Sequence, residues 1–343
     1  MRPELRAALR AAGASDDDID RAAAEGWLPL LALDRVLMPG APTYDTMSLA
    51  RVSGIDTGLL ERLWRALGFP NVPADARVFT EDDAVAARRL FGRADSDELE
   101  EANVIQLVQV VSGAMARIAS VEAGSIADVI QRLAATGLSQ ERIAGVLIRP
   151  ERWEDLRALI DYEHRVQLRA ALWRRLVLDA VPDAVVGVAF ADLAGYTKAT
   201  AHLDHDEITA LVSRWEDLAY DTVTAHGGRV VKTIGDEVMF VGLAPGVVDA
   251  ALALRDAADA DADLLPVRAG VAAGPVVARN GDYYGPVVNL ASRLTEIATP
   301  GEVLAPAILR DQVADPRIVW VPHGVRRVRS IGEIETFALE RPG

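Results

Sequence analysis

No cysteine occurs in the 343 residues, which excludes disulfides, thiolate metal sites and cysteine nucleophiles and leaves the redox compartment unread. Lysine is almost as scarce: of 36 basic residues, only Lys198 and Lys232 are lysine. A chain that otherwise uses arginine has placed a compact, single-point donor at those two positions. Aromatic residues make up only 5% of the chain, and 51 acidic residues outweigh the basic ones to give a net charge of −15. Both halves are net acidic, which argues against a nucleic-acid-binding surface. The first residues, Met1-Arg2-Pro3-Glu4-Leu5, lack the basic-then-apolar order of a signal peptide. An unbroken apolar run of the ~18 residues that span a bilayer is missing as well. The best candidate, Val104 to Val121, is interrupted by Gln106, Gln109, Ser112, Arg117 and Ser120. The expectation is a soluble, cytoplasmic protein with no transmembrane segment.

What is present is apolar bulk, at 50% of residues, and a length that predicts about two domains. Residues 1–150 read as an all-α domain. Ser15 ahead of Asp16, Asp17 and Asp18 marks a helix start, with acids where the helix dipole favours them. Leu28 to Met38 is an apolar helix closed by Pro39-Gly40. Residues 44–56 and 59–70 resemble a helix-turn-helix, but Arg62 and Arg65 alone are thin support for DNA binding. Glu98 to Glu122 predicts a long helix whose stripe of Val104, Leu107, Val108, Val111, Met115 and Ile118 is expected in the core, with a lipid or acyl-chain groove as the minority reading. Residues 151–181 form a helical coupling segment. Its apolar positions, among them Leu168, Leu172 and Leu176, suit pairing with a second copy.

From 182 to 343 strands and helices alternate. Val185 to Ala191 is a buried strand ending at Asp192, a loop holds Gly195, Tyr196 and Thr197, and a helix spans Asp204 to His226. A hairpin over 230–240, a helix over Val247 to Ala258 and a strand over Pro266 to Ala273 come next. A short strand at Val276 to Ala278, a helix through Val288 to Ile297, and strands near 303–304, 325–328 and 336–339 complete the order. This β-α-β-β-α-β order predicts an α+β, ferredoxin-like sheet.

Several residues carry chemistry. Lys232 shares strand parity with Val230 and Ile234 and interrupts their apolar face, so its ammonium needs an acceptor. Gly235-Asp236 is the local chemistry of a tight hairpin turn. Asp192 and Asp236, at the same end of neighbouring strands, suit two divalent ions such as Mg²⁺ that take their other ligands from water and phosphates. Taken alone, each is more often a cap or turn residue. The loop at 195–197 enters a helix and offers backbone N–H groups to phosphate. Asn289 and Arg293 are helical neighbours, either a solvated face or a donor pair aimed at an anionic transition state. Asp282, in the turn ahead of that helix, is an exposed acceptor by default.

The segments Phe190-Ala191-Asp192-Leu193-Ala194-Gly195-Tyr196-Thr197, Lys232-Thr233-Ile234-Gly235-Asp236, Asp282-Tyr283-Tyr284-Gly285 and Asn289-Leu290-Ala291-Ser292-Arg293 closely resemble the class III nucleotidyl cyclases, over about 183–340. The resemblance implies conversion of ATP to cyclic AMP and pyrophosphate. It implies two divalent metals, Mg²⁺ or Mn²⁺, on Asp192 and Asp236, and adenine read by Lys232 and Asp282. Asn289 and Arg293 would orient the ribose and stabilise the α-phosphoryl transition state. It further implies a head-to-tail homodimer in which Asp192 and Asp236 of one chain face Lys232, Asp282, Asn289 and Arg293 of the other. One departure stands out: Ile331 occupies the place where many members carry a triphosphate-gripping lysine, with Arg329 or another arginine as the open replacement. The N-terminal half resembles the helical regulatory domain of actinobacterial cyclases that inhibits catalysis and responds to protons or, in some cases, lipids. His164, His202 and His205 are the titratable candidates there and near the Asp192 loop. A catalytically weak nucleotide-binding regulator and a DNA-binding regulator with a cyclase-like effector domain are the alternatives. The first is disfavoured by the presence of both aspartates, the second by charge.

Overall fold

The computed structural model describes residues 1–70, 72–91, 101–180, 185–329 and 331–342. Glu98, the expected start of the long helix, Pro182, the expected end of the coupling helix, and Ser330 lie outside the described residues. Two compact units divide the chain, Met1–Arg174 and Arg175–Gly343.

The first unit is helical among the described residues: α1 (Pro3–Ala11), α2 (Asp16–Glu25), α3 (Leu28–Leu37), α4 (Thr46–Ser53), α5 (Thr57–Ala66), α6 (Glu81–Phe91), α7 (Glu101–Ala135), α8 (Gln140–Leu147) and α9 (Glu151–Ala180), the last crossing the division between units. Caps set the short helices. The Ser15 hydroxyl accepts from the Asp18 N–H, Asp45 and Ser48 form a capping box, and Asp56 accepts from the Leu59 N–H. One core gathers Leu5, Leu9, Ile19, Leu28, Leu31, Ile143 and Leu147 around Trp153 of α9, whose indole donates to the Leu147 carbonyl. A second joins Leu49, Leu60, Leu63 and Phe79 to Val104 and Val108 of α7.

The stripe on α7 is corrected here. Val104 and Val108 are buried, but Leu107, Val111, Met115 and Ile118 are exposed, at 60% for Leu107. Helical spacing identifies a face; it does not say that something covers it. The same helix bears on the expectation of no transmembrane segment. Asn103–Ala135 is long and apolar enough to cross a membrane by length and composition, with a mean hydropathy of 1.5 in a window that is 11% buried. Valine, isoleucine, leucine and alanine outnumber the interrupting polar residues along this helix, so the mean stays apolar although no unbroken run exists. A single helix of this kind does not assign a location.

The second unit holds β1 (Val186–Leu193), α10 (Tyr196–Thr200), α11 (His205–Ala225), β2 (Arg229–Ile234), β3 (Glu237–Leu243), α12 (Ala244–Asp259), β4 (Val267–Ala273), β5 (Val277–Arg279), β6 (Asp282–Tyr284), α13 (Pro286–Ile297), β7 (Val303–Pro306), α14 (Ala307–Gln312), β8 (Val319–Val328) and β9 (Gly332–Glu340). A seven-stranded sheet runs β2-β3-β1-β4-β7-β9-β8, with β4 and β7 parallel and the other neighbours antiparallel. Its β2-β3-β1-β4 core, with α11 and α12 in sequence between strands, is the expected α+β, ferredoxin-like arrangement.

Period-two alternation divides β1 between two faces. Ala189, Ala191 and Leu193 pack with Trp215 of α11 and Val247, Val248 and Leu252 of α12. Val188 and Phe190 pack with Met239, Val241, Ala272 and Ala291 of α13. The helix α13 lies so close to β4 that a Cβ on Gly270 would sit 2.3 Å from the Ala291 carbonyl oxygen. Thr295 ties the same helix to β1 by donating to the Phe190 carbonyl. Glycine at 270 is thus what lets α13 seat on the sheet.

Candidate active site

Strand parity assembles the carboxylate site. Asp192 shares the α13 face with Val188 and Phe190, four and two residues before it on β1. Its cross-strand partners are Glu237 on β3 and Arg268 on β4. Side chains paired across antiparallel strands share a face, so Glu237, Asp192 and Arg268 stand in a row. Asp236 follows from the turn: Ile234 pairs with Glu237, which leaves Gly235-Asp236 as a two-residue loop. Gly235 has φ 64°, and Asp236 is not in the positive-φ region. Glycine at the first central position is the chemistry of a type II′ hairpin turn.

Charge within this row is unevenly compensated. Arg268 Nη2 donates to Asp192 Oδ2 at 2.6 Å. Asp192 Oδ1 and Arg268 Nε are buried with no partner. Asp236 is pushed up from 3.8 to about 6, first by burial and then by Asp192, against the lowering effect of its own backbone N–H and of Arg268. Burial also raises Glu237, with Asp192, Asp236 and Glu296 adding to it. Two aspartates at the end of adjacent strands, one with an orphaned buried oxygen, fit a hard divalent cation that completes its shell with water and phosphate oxygens. Among the described residues no set of three or more His, Asp or Glu is placed to enclose a metal by itself.

The Asp236 shift has a sign that can be tested. Below about pH 4 the carboxyl is protonated both folded and unfolded and costs nothing. As pH rises towards 6 the unfolded chain ionises first, so stability is lost, and the penalty stays in full above about pH 6. In metal-free protein, the melting temperature of Asp236→Asn minus that of wild type is expected to be larger at about pH 7.5 than at about pH 5. Calorimetry at both values checks this, and a difference that stays flat or reverses contradicts it.

Lys232 and Asp282 come together elsewhere on the α13 side. Lys232 Nζ donates to Asp282 Oδ2 at 2.5 Å, and Asp282 Oδ1 accepts from the Tyr283 N–H at 2.8 Å. Two expectations change here. A β-bulge at Val231 shifts the register, so Val230 pairs with Phe240 but Lys232 pairs with Met239. Phe240 belongs to the α11/α12 core and Met239 to the α13 core, so Lys232 does not share a face with Val230. Asp282 is half-buried at the start of β6 rather than exposed in a turn. That strand forms because Asn280 and Gly281 both adopt positive φ, 56° and 78°, the two-residue loop that closes β5 onto β6.

Asn289 and Arg293 lie on α13. Asn289 is exposed, and Arg293 is held by an ion pair to Glu296, one helical turn on. Gly195 caps α10. The Lys198 and Ala199 N–H groups bond back to its carbonyl, while Ala194 donates to Pro266. Tyr196 is partly buried against the sheet core, and Thr197 is exposed. Among the described residues the structure joins Asp192 with Asp236, and Lys232 with Asp282. It records no hydrogen bond or ion pair from either group to Asn289 or Arg293. At the departure site, Ile331 is exposed in the turn between β8 and β9, in a depression also lined by Arg327, Val328, Arg329 and Gly332. His164, His202 and His205 are exposed.

Sequence reasoning missed Arg268, Glu237, Glu296 and Trp215. The signal for Arg268 was present, since it interrupts the apolar run from Val267 to Ala273 as Lys232 interrupts its own strand.

Comparison with known proteins identifies the families that the two halves match. Residues 179–341 match the adenylate and guanylate cyclase catalytic domain, and residues 1–172 match the adenylate cyclase regulatory domain. An adenylate cyclase of Streptomyces coelicolor is 32% identical over 294 residues, 84% of this chain and 76% of the relative. A pH-sensitive adenylate cyclase of Mycobacterium tuberculosis is 32% identical over 330 residues, 91% of this chain and 82% of the relative. Among solved structures, the adenylyl cyclase CyaB from P. aeruginosa aligns with 46% of this chain and 95% of its own, at 22% identity and a TM-score of 0.41. The chain belongs to the class III adenylate cyclases that carry an N-terminal adenylate cyclase regulatory domain.

Proposed function

We propose that this chain converts ATP to 3′,5′-cyclic AMP and pyrophosphate at two equivalent sites of a homodimer, under the control of its N-terminal domain. The observation that carries the reading is the paired carboxylates Asp192 and Asp236, with one buried oxygen unpartnered and Asp236 pushed up to about 6. Asp192 and Asp236 would hold the divalent metal ions, two per site and either Mg²⁺ or Mn²⁺, which would supply charge neutralisation to the phosphates and a lowered pKa at the ribose 3′-hydroxyl.

The chain's own residues do the positioning. Lys232 and Asp282, at hydrogen-bond distance from each other, present a donor beside an acceptor. Adenine offers the complement on adjacent positions, N1 as acceptor and the 6-amino group as donor. Asn289 orients the ribose, and the Arg293 guanidinium meets the charge that develops on the α-phosphoryl group. The backbone N–H groups of Gly195, Tyr196 and Thr197 face the phosphates, and Arg329 or another arginine stands in for the lysine that Ile331 replaces. No covalent nucleophile is needed, because positioning and electrostatics supply the catalysis.

The dimer reading comes from the resemblance to the class III cyclases, whose catalysis is dimeric. It is supported by α9, where Leu168, Leu172 and Leu176 are exposed at i, i+4 spacing. A proton is the proposed input to the regulatory domain, by similarity to the pH-sensitive relative, and a lipid is the other candidate. Incubating the purified full chain with ATP and Mn²⁺ or Mg²⁺ is expected to yield cyclic AMP. No product with either metal between about pH 5 and about pH 8 would sink the proposal.

A further inference from the structure

The largest fully buried side chain in the described structure is Trp215, and it carries a hydrogen bond to the candidate metal site. It lies on α11 with no exposed surface, inside the core formed with Leu193, Val230 and Val238. Its indole Nε1–H donates to the backbone carbonyl oxygen of Asp236 at 2.8 Å. An indole N–H is donor only and must find a partner when buried, so the contact is a requirement of Trp215 as much as of the turn. From the side of the turn, Gly235 and Asp236 are the two residues outside the β2–β3 ladder. The Asp236 carbonyl therefore has no strand partner, and the tryptophan replaces one.

We propose that Trp215 is a positioning residue for Asp236: its indole N–H fixes the peptide that follows the Asp236 Cα and so sets the direction of the carboxylate. The proposal rests on the metal-binding role given to Asp192 and Asp236. The physical argument concerns rotation. A two-residue loop that begins with glycine is the least restrained part of the hairpin. Rotation about the Asp236 backbone would swing its carboxylate away from Asp192, and an anchor on the carbonyl opposes that rotation. Asp192 needs no such anchor, because it lies within the β1 ladder and Arg268 grips its Oδ2. The two carboxylates are thus held by different means, one by an ion pair to its side chain and the other through its main chain. Groups that orient metal ligands typically change metal affinity by about 10–100-fold when removed.

The test uses the full-length chain and Mn²⁺ alone as the probe, with free Mn²⁺ read by electron paramagnetic resonance. Trp215→Phe keeps an aromatic ring and removes the N–H. Site-specific replacement of Trp215 by benzothienylalanine keeps the bicyclic shape as well and removes only the N–H, so it reports even where the phenylalanine variant folds poorly. Both are expected to weaken Mn²⁺ binding about tenfold, and raising Mn²⁺ is expected to recover most of the lost turnover. Asp236→Asn is the reference. If it weakens Mn²⁺ binding but the benzothienylalanine variant binds as wild type does, Trp215 is a packing residue and the proposal is overturned, whatever its melting temperature. If Asp236→Asn itself leaves Mn²⁺ binding unchanged, the metal-binding role of the carboxylates fails first and this proposal falls with it.

Discussion

Asp236→Ala and Arg293→Ala are each expected to lower cyclic AMP formation by about 10²–10³-fold, the usual cost of removing one preorganised electrostatic group from an active site. Neither loss is expected to come from unfolding. The Asp236 side chain sits in a two-residue turn, and burial together with Asp192 makes its ionised form unfavourable in the folded chain. Removing the carboxylate therefore relieves strain at neutral pH, so a melting temperature at or above that of wild type should accompany the loss of activity. Arg293 gives up only an exposed i, i+3 ion pair to Glu296, of the kind that contributes little to stability. The two variants differ in metal dependence: extra Mn²⁺ should partly rescue a weakened metal site and should do nothing for Arg293→Ala. Activity within a few-fold of wild type in either variant removes that residue from the chemistry.

The second large effect is on base selection. Lys232→Glu with Asp282→Cys is expected to lower kcat/KM for ATP by about 10²-fold and to move preference towards GTP. Two hydrogen-bonding positions change at once, and a well-made base contact discriminates by about 1–3 kcal/mol. Guanine presents N1–H and O6 where adenine presents N1 and the 6-amino group, so an acceptor is wanted at 232 and no carboxylate at 282. The double substitution is necessary because Lys232 and Asp282 form an ion pair. Lys232→Glu alone would set two carboxylates against each other and confuse misfolding with specificity. Comparing kcat/KM for ATP and GTP in the double variant decides the matter, and an unchanged ratio takes these residues out of base recognition.

Much of this was readable from residue order because local chemistry agreed with global packing. The Gly235-Asp236 turn, the buried run of β1 and the helix from Glu151 to Ala180 each follow from composition and periodicity. What was hidden depends on register and on distant partners. The bulge at Val231 moves Lys232 to the opposite face, and strand parity cannot anticipate an extra residue. Arg268 reaches Asp192 across 76 residues of chain, so its charge was visible in the sequence but its partner was not. Nothing in the sequence singles out Trp215, because the acceptor that explains its indole is a backbone carbonyl, which has no sequence signature. The stripe on α7 failed for a related reason: apolar periodicity says that a face wants to be covered, and the covering element has to come from elsewhere.

Mixing the two inactive variants tests the composite dimer most directly. Asp236→Ala and Arg293→Ala chains, combined in equal amounts and allowed to exchange subunits, form heterodimers in which one site collects both defects and the other has neither. About a quarter of wild-type cyclic AMP formation per total chain is predicted for random pairing into a two-fold dimer. If subunit exchange is verified by mass spectrometry and activity stays at the level of the separate variants, Asp236 and Arg293 do not complete each other across two chains, and the dimeric active site is wrong.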